Sequence, residues 1–355
     1  MTTGELVMPA ASATPGPTRS RRPLATDYAE LRRTIREHGL LETSPRYYVI
    51  KSTLTVALFA LGVVLALTLT HPVLLLLDAV YMGFASTQIG LIGHDIAHRQ
   101  VFRKRTPVDR VGVLVGNLAI GTSYSWWTSK HNEHHANPNH QTEDPDVSFP
   151  IVAMFAEQME TRPRMVRPFL RWQAYYFMFL FPLQAYSFRA QSIRFLLAGK
   201  ARFPLREWIA LAAHVALYAV LLLQFESWPI AIAFLVVHQA SFGVYNASIF
   251  APNHKGMPST IGNERLDFLR EQVLTARNVR GHPITDFWYG GLNYQIEHHL
   301  FPTMPRNRLG KAQPIVKAFC EKRGVDYYET GMLRSYREVI EHLHEVSRSV
   351  RPAQA

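Results

Sequence analysis

The sequence is poor in cysteine: Cys320 is the only one among 355 residues. That excludes an intrachain disulfide and any cluster held by several cysteines of one chain, and it leaves Cys320 as a free structural thiol. Basic residues are missing from four long apolar runs. Residues 52–70 and 73–93 are separated only by His71-Pro72, and residues 208–225 and 229–250 only by Glu226-Ser227-Trp228; none of the 38 Lys and Arg falls in them. A cleavable leader is also not expected, because the first apolar run begins at Ser52 and is long enough to remain as a membrane span. The residues carry neither a His-Pro-Gly-Gly haem motif nor a flavin fingerprint.

What is present is basic and apolar in alternation. The formal net charge is +11 and 48% of residues are hydrophobic. Each apolar run can cross about 30 Å of hydrocarbon as a helix, so the runs pair into two membrane hairpins. Lys and Arg gather at residues 19–51, at 99–110 and through the C-terminal third. By the positive-inside rule those segments, with both termini, are cytoplasmic. The charge is thus a topology signal with some attraction to anionic lipid, and no nucleic acid is needed to explain it. The expected fold class is an all-α membrane protein: four transmembrane helices in two hairpins, with a cytoplasmic helical cap holding a His-rich di-metal site.

The chain divides accordingly. Residues 1–45 read as a cytoplasmic N-terminal tail, disordered to about residue 25, with an amphipathic helix whose stripe is Tyr28, Leu31 and Ile35. Residues 46–98 are the first hairpin, 99–206 a cytoplasmic and interfacial region, 207–250 the second hairpin, and 251–355 the cytoplasmic C-terminal region. Residues 111–122 are apolar but too short to span. Residues 172–188, aromatic and apolar around Pro182, are expected to be interfacial or re-entrant. A fifth crossing there would place later histidines on the opposite side of the membrane from earlier ones.

Histidine supplies the chemistry. His131, His134 and His135 occupy relative positions one, four and five, which share one face of a helix and can aim three imidazoles at one point. Gln295, His298 and His299 repeat that spacing with Gln first. His94 and His98 lie one helical turn apart; in a chain with 16 His such a pair arises readily by accident, so position gives it weight. A span ending near Gly93 sets both at the inner membrane surface, and His254, just past the last span, emerges at the same depth. Pro252 is expected to end that span irregularly. Eight histidines with Gln295 as a weaker ninth exceed the shell of one ion, which implies two metals. Imidazole suits iron, copper, nickel and zinc alike. Asp95, Glu133 and Glu297 lie inside the clusters and are candidates to accept the outer N–H of ligating imidazoles. His140 reads equally as a solvated loop residue, and His214 and His238, inside spans, read as neutral groups bonded between helices.

With its three histidine clusters in order, two hairpins and a Gln-x-x-His-His third cluster, the chain resembles the integral-membrane fatty acid desaturases over residues 50–310. The Gln is similar to that of front-end and related bacterial acyl desaturases. Acyl-CoA members have Asn four residues before their extra His, where this chain has Phe250 before His254. The resemblance implies two Fe ions and the O2-dependent introduction of a cis double bond into a fatty acyl chain carried on CoA or lipid. It also implies a separate electron donor: a ferredoxin, a flavin/iron–sulfur oxidoreductase or a cytochrome b5-like protein. Two alternatives remain open, a hydroxylase or ketolase on the same scaffold and a membrane metal transporter. The latter would more naturally place its ligands at mid-membrane.

Overall fold

The computed structural model describes residues 25–262 and 266–349; most of the expected N-terminal tail lies outside them. In chain order the helices are α1 (Ala25–Glu37), α2 (Pro45–Thr68), α3 (Pro72–Ala97), α4 (Arg105–Val113) running into a π-helical segment (Leu114–Ile120), and α5 (Tyr124–Ala136). Short pieces follow: strands β1 (Ser148–Phe149) and β2 (Val152–Ala153), then α6 (Ala156–Thr161), α7 (Arg167–Leu170), α8 (Gln173–Tyr176) and a 3-10 stretch (Phe177–Leu183). Then come α9 (Gln184–Leu197), α10 (Pro204–Leu223), α11 (Trp228–His254), α12 (Phe268–Leu274) and strand β3 (Asn278–Val279). The chain closes with α13 (Pro283–Tyr289), α14 (Gln295–Leu300), α15 (Arg306–Arg323), strand β4 (Glu329–Thr330) and α16 (Met332–Arg348).

Four of these, α2, α3, α10 and α11, are long and apolar enough to cross a membrane. All four begin with proline at the first or second position, where the missing N–H costs nothing and the fixed φ suits a helix. The 172–188 stretch is not one rod: α8, the 3-10 turns around Pro182 and the start of α9 share it. At the end of α11 the structure departs from expectation, since the helix continues through Pro252 to His254. Proline removes a single i→i−4 bond and its φ is helical. The tip is held from outside, by Asn253 Nδ2 on Gln295 Oε1 (3.0 Å) and His254 Nδ1 on the Thr275 carbonyl (2.9 Å).

By compactness the chain forms two units, each built from separated segments. The span unit comprises Thr43–His131 and Met178–Ser248. In it α3 is the central helix, 67% buried over its most apolar window against 17% for α2 and for α10, whose outer faces are left for lipid. Residues of α2 and α3 meet along both lengths: Lys51 Nζ with Gln88 Oε1 (3.1 Å), Tyr81 hydroxyl with the Leu58 carbonyl (2.7 Å). Gly83 lets α3 approach α11, because a Cβ there would sit 2.5 Å from Ser241 Cβ. Several buried polar groups in this unit are bonded between helices. His238 meets Ser86 Oγ (3.1 Å) and the Tyr218 hydroxyl (2.7 Å), and His214 Nδ1 donates to the Leu118 carbonyl (2.9 Å). Glu207, fully buried, accepts from Ser123 Oγ (2.6 Å), Asn117 Nδ2 (3.3 Å), the Ser125 amide (3.3 Å) and the Ser125 hydroxyl. That knot fixes the turn between the π-helical segment and α5.

The terminal unit comprises residues through Glu42, Asn132–Phe177 and Ile249 onward. Its core joins Leu31 and Ile35 of α1 to Leu269 and Val273 of α12, Ile296 and Leu300 of α14, and Leu309 and Val316 of α15. The amphipathic stripe read in the sequence therefore packs on protein. Parallel pairing of β3 with β4 and antiparallel pairing of β1 with β2 hold the loops. His140 is buried in this unit; its Nε2 meets the Gly262 carbonyl (3.2 Å) and its Nδ1 accepts the Glu143 amide (3.1 Å). It is a loop clamp.

Candidate metal centre

Each unit contains a buried group of histidines. In the span unit, His94 sits in the last turn of α3, His98 caps that helix, and His131 comes from α5. Their candidate ligand nitrogens lie within 4.8 Å of one another. Ring centroids are 4.6 Å apart for His94 and His98, 5.0 Å for His94 and His131, and 4.8 Å for His98 and His131. Trp127 stacks on His131 at 4.4 Å and meets His94 edge-on at 5.7 Å, walling the group with apolar surface. Asp95 Oδ1 lies 3.3 Å from His94 Nδ1.

In the terminal unit, His134 of α5, His254 of α11 and His299 of α14 form the second group, again with ligand atoms within 4.8 Å. Their outer nitrogens are tied down. His134 Nδ1 lies 3.0 Å from both oxygens of Asp144, His254 Nδ1 donates to the Thr275 carbonyl, and His299 Nδ1 donates to Gln272 Oε1 (2.9 Å). Gln272 is itself oriented by its Nε2, which donates to the His135 carbonyl. Burial pushes the Asp144 carboxyl up, but His134 and the Asn139 amide more than offset that and hold it below the usual carboxylate range.

The consequence is electronic. With the protons of His254 and His299 committed to Nδ1, both Nε2 atoms carry lone pairs, and these face each other at 3.1 Å. Two lone pairs cannot hydrogen-bond to one another, so the pair is arranged as two ligands of one cation would be. Nitrogens about 2.1 Å from one ion at right angles lie about 3.0 Å apart. The donor set therefore fits a nitrogen-liking metal, and the orientation of each ring through its other nitrogen is the usual support for one.

Of the remaining sequence candidates, His135 stacks on His299 (4.2 Å) and buried His298 meets His135 edge-on (4.8 Å). Gln295 is buried beside them, its Nε2 3.0 Å from His254 Nε2. Two of the acidic candidates sit differently from the expectation. Glu133 is exposed, because one residue along a helix turns a side chain about 100° from its neighbour His134; the carboxylate at His134 is that of Asp144. Glu297 is fully buried but accepts from Asn278 Nδ2 and the Tyr327 hydroxyl, each at 2.7 Å, and not from an imidazole; desolvation raises its pKa to about 7. Asp144, Gln272 and Thr275 are the functional residues that sequence reasoning missed.

Comparison with known proteins agrees with this chemistry. The family described as fatty acid desaturase matches residues 69–331, a stretch that includes every histidine discussed as a ligand. An acyl-lipid (9-3)-desaturase of Physcomitrium patens is 30% identical over 345 residues, covering 91% of this chain and 63% of the relative. The chain thus spans less than two thirds of that relative's length. A Delta(8)-fatty-acid desaturase of Euglena gracilis is 32% identical over 317 residues, covering 85% of this chain and 74% of the relative. The Delta(5) fatty acid desaturase fat-4 of Caenorhabditis elegans is 31% identical over 312 residues, covering 84% and 69% respectively.

Proposed function

The chain belongs to the fatty acid desaturase family, and from that premise we propose that it is a membrane enzyme that introduces a cis double bond into a fatty acyl chain at the expense of O2. The observation that carries the reading is the facing Nε2 pair of His254 and His299, built into a chain whose relatives are named desaturases. Two irons would be held, one by His94, His98 and His131 and one by His134, His254 and His299, and His135 and His298, packed beside His299, would be further donors. When bound, the irons supply the redox chemistry by which O2 is reduced and two hydrogens leave an unactivated acyl chain.

The chain's own residues prepare that step. Asp144, Thr275 and Gln272 hold the outer nitrogens of one set so that each Nε2 stays a lone pair. Trp127 keeps water from the other set. The four apolar helices form two membrane hairpins, the termini are cytoplasmic, and the acyl chain enters from the lipid. Electrons come from a separate donor chain, for which the basic segments 99–110 and 306–322 are docking surfaces. A mid-membrane transporter is a poorer fit, because His94 and His254 stand in the last turns of their helices.

Expression in a host lacking the activity, with lipid analysis under air and under nitrogen, tests the proposal. A new unsaturated acyl chain formed only in air is expected. A hydroxylated product, or none in the presence of a competent donor, would replace the reading.

A further inference from the structure

Between β2 and the end of α8 the terminal unit carries a segment that is anchored on one side and open on the other. Its inner side is fixed to α16: Ser347 Oγ donates to the Leu170 carbonyl (3.1 Å), and Gln173 Nε2 donates to the Leu343 carbonyl (3.3 Å). Leu170 packs with Ala153, Met159 and Val346. The segment is thus anchored to α16 beneath it. Its outer side is apolar and aromatic to an unusual degree: Met165 is 85% exposed, Phe169 67%, Trp172 54% and Tyr175 62%. Monomeric proteins seldom leave large apolar side chains grouped in water.

From Arg162 to Tyr175 the charge has one sign; the nearest acids, Glu157 and Glu160, come just before it. Arg162, Arg164, Arg167 and Arg171 interleave with the apolar residues, and among the described residues none has a carboxylate within ion-pair distance. Arg162 and Arg167 meet only backbone carbonyls, and Arg171 lies over the Trp172 ring (5.7 Å). Exposed aromatics with flanking guanidinium groups match the boundary between acyl chains and headgroups. A water-facing partner protein with an acidic surface would satisfy the arginines but would leave the Met165 and Phe169 side chains without a match.

We propose that residues 162–175 form a docking surface for anionic phospholipid, with Phe169 and Trp172 seated at the acyl boundary and Arg164, Arg167 and Arg171 on the phosphates. The surface fixes the terminal unit to the inner leaflet independently of the four spans. Its selectivity is for headgroup charge, since each arginine near an anionic surface contributes up to about fivefold to affinity at physiological ionic strength, and salt screens the gain.

The test uses the full chain in nanodiscs with Met165→Cys carrying an environment-sensitive fluorophore; Cys320, buried in the core, stays unlabelled. Brominated phosphatidylglycerol and brominated phosphatidylcholine are compared as quenchers in otherwise plain bilayers. Quenching by both, with a severalfold relative preference for phosphatidylglycerol that shrinks at high salt, is expected. The preference should vanish in R164Q/R167Q/R171Q while quenching by phosphatidylcholine remains. Equal quenching by the two lipids, or a preference the triple variant keeps, overturns the headgroup selectivity. A probe that neither lipid quenches overturns the surface altogether, whatever the enzyme's activity.

Discussion

His254 and His299 face each other through Nε2 atoms 3.1 Å apart, each with its other nitrogen already donating to an oxygen. Without a cation this arrangement sets two lone pairs in contact, so metal binding and folding are coupled at this point. Ferrous iron at about 100 times its dissociation constant should stabilise the detergent-solubilised protein by about 2.7 kcal/mol. In His299→Ala the thermal shift on adding iron should shrink and about one of two iron equivalents should be lost. A variant that keeps the full shift and both equivalents would falsify the assignment of His299.

Gln295 presents its amide nitrogen to His254 Nε2, the atom proposed to hold iron. An N–H cannot donate to a lone pair already given to a metal. With iron on that atom this contact would be lost, and the amide oxygen, which accepts from Asn253 Nδ2 at 3.0 Å, would be a weaker donor than imidazole. Gln295→Ala should therefore keep most of the iron while losing activity or shifting the product distribution. Metal analysis beside product analysis separates the cases: iron loss as complete as in His298→Ala or His299→Ala makes Gln295 a true ligand.

Asp144 is the orienting carboxylate for His134, and it also accepts the Asn139 and Asp146 amides at 2.7 and 2.8 Å. Asp144→Asn should lower metal affinity at this set by roughly 10- to 100-fold, the usual cost of losing such a partner. Competition with a chelator of known affinity measures it. Unchanged affinity would mean that His134 is oriented without the carboxylate.

Topology can be read by labelling. Cys320 is fully buried and its thiol is pushed up to about 12 by burial, so its silence would report inertness and not its side of the membrane. Ser227, exposed between α10 and α11, and Leu333, 84% exposed near the start of α16, are better positions. An impermeant maleimide added to intact cells should label Ser227→Cys and leave Leu333→Cys untouched; the reverse pattern overturns the proposed orientation.

Glu207 gathers donors from Ser123, Ser125 and Asn117 in a space without exposure. Glu207→Ala strands them, at about 1–3 kcal/mol for each donor left unsatisfied. Its melting temperature should fall by several degrees, and Glu207→Gln, which keeps an acceptor, should fall less. Equal losses in the two variants would show that the charge and not the hydrogen bonds holds the knot.

The spans were legible because twenty apolar residues in succession have few other uses, and the two tight connections carry no Lys or Arg. The histidine spacing was legible because helical period alone brings His131, His134 and His135 to one face. Their supports were not. Asp144 reaches His134 from an irregular loop, and Gln272 and the Thr275 carbonyl act from α12, whose own sequence says nothing of a partner in α11 or α14. Glu133 looked eligible by proximity in sequence, whereas helical geometry turns it to solvent. Pro252 by itself disfavours a regular helix, but tertiary bonds to Asn253 and His254 carry the helix past it.

The Tyr28 hydroxyl donates to the Leu300 carbonyl at 2.9 Å, across a separation of 272 residues. At about 5–20 residues per second, α1 leaves the ribosome on the order of tens of seconds before the helix it must bond. During that interval its buried Leu31 and Ile35 have no core to enter. The third histidine of the terminal set, His299, arrives only with the same late segment. Loading of that set is therefore an event after most of synthesis, and a cell short of metal should accumulate full-length chains that are open in the terminal unit, the form on which quality-control proteases act.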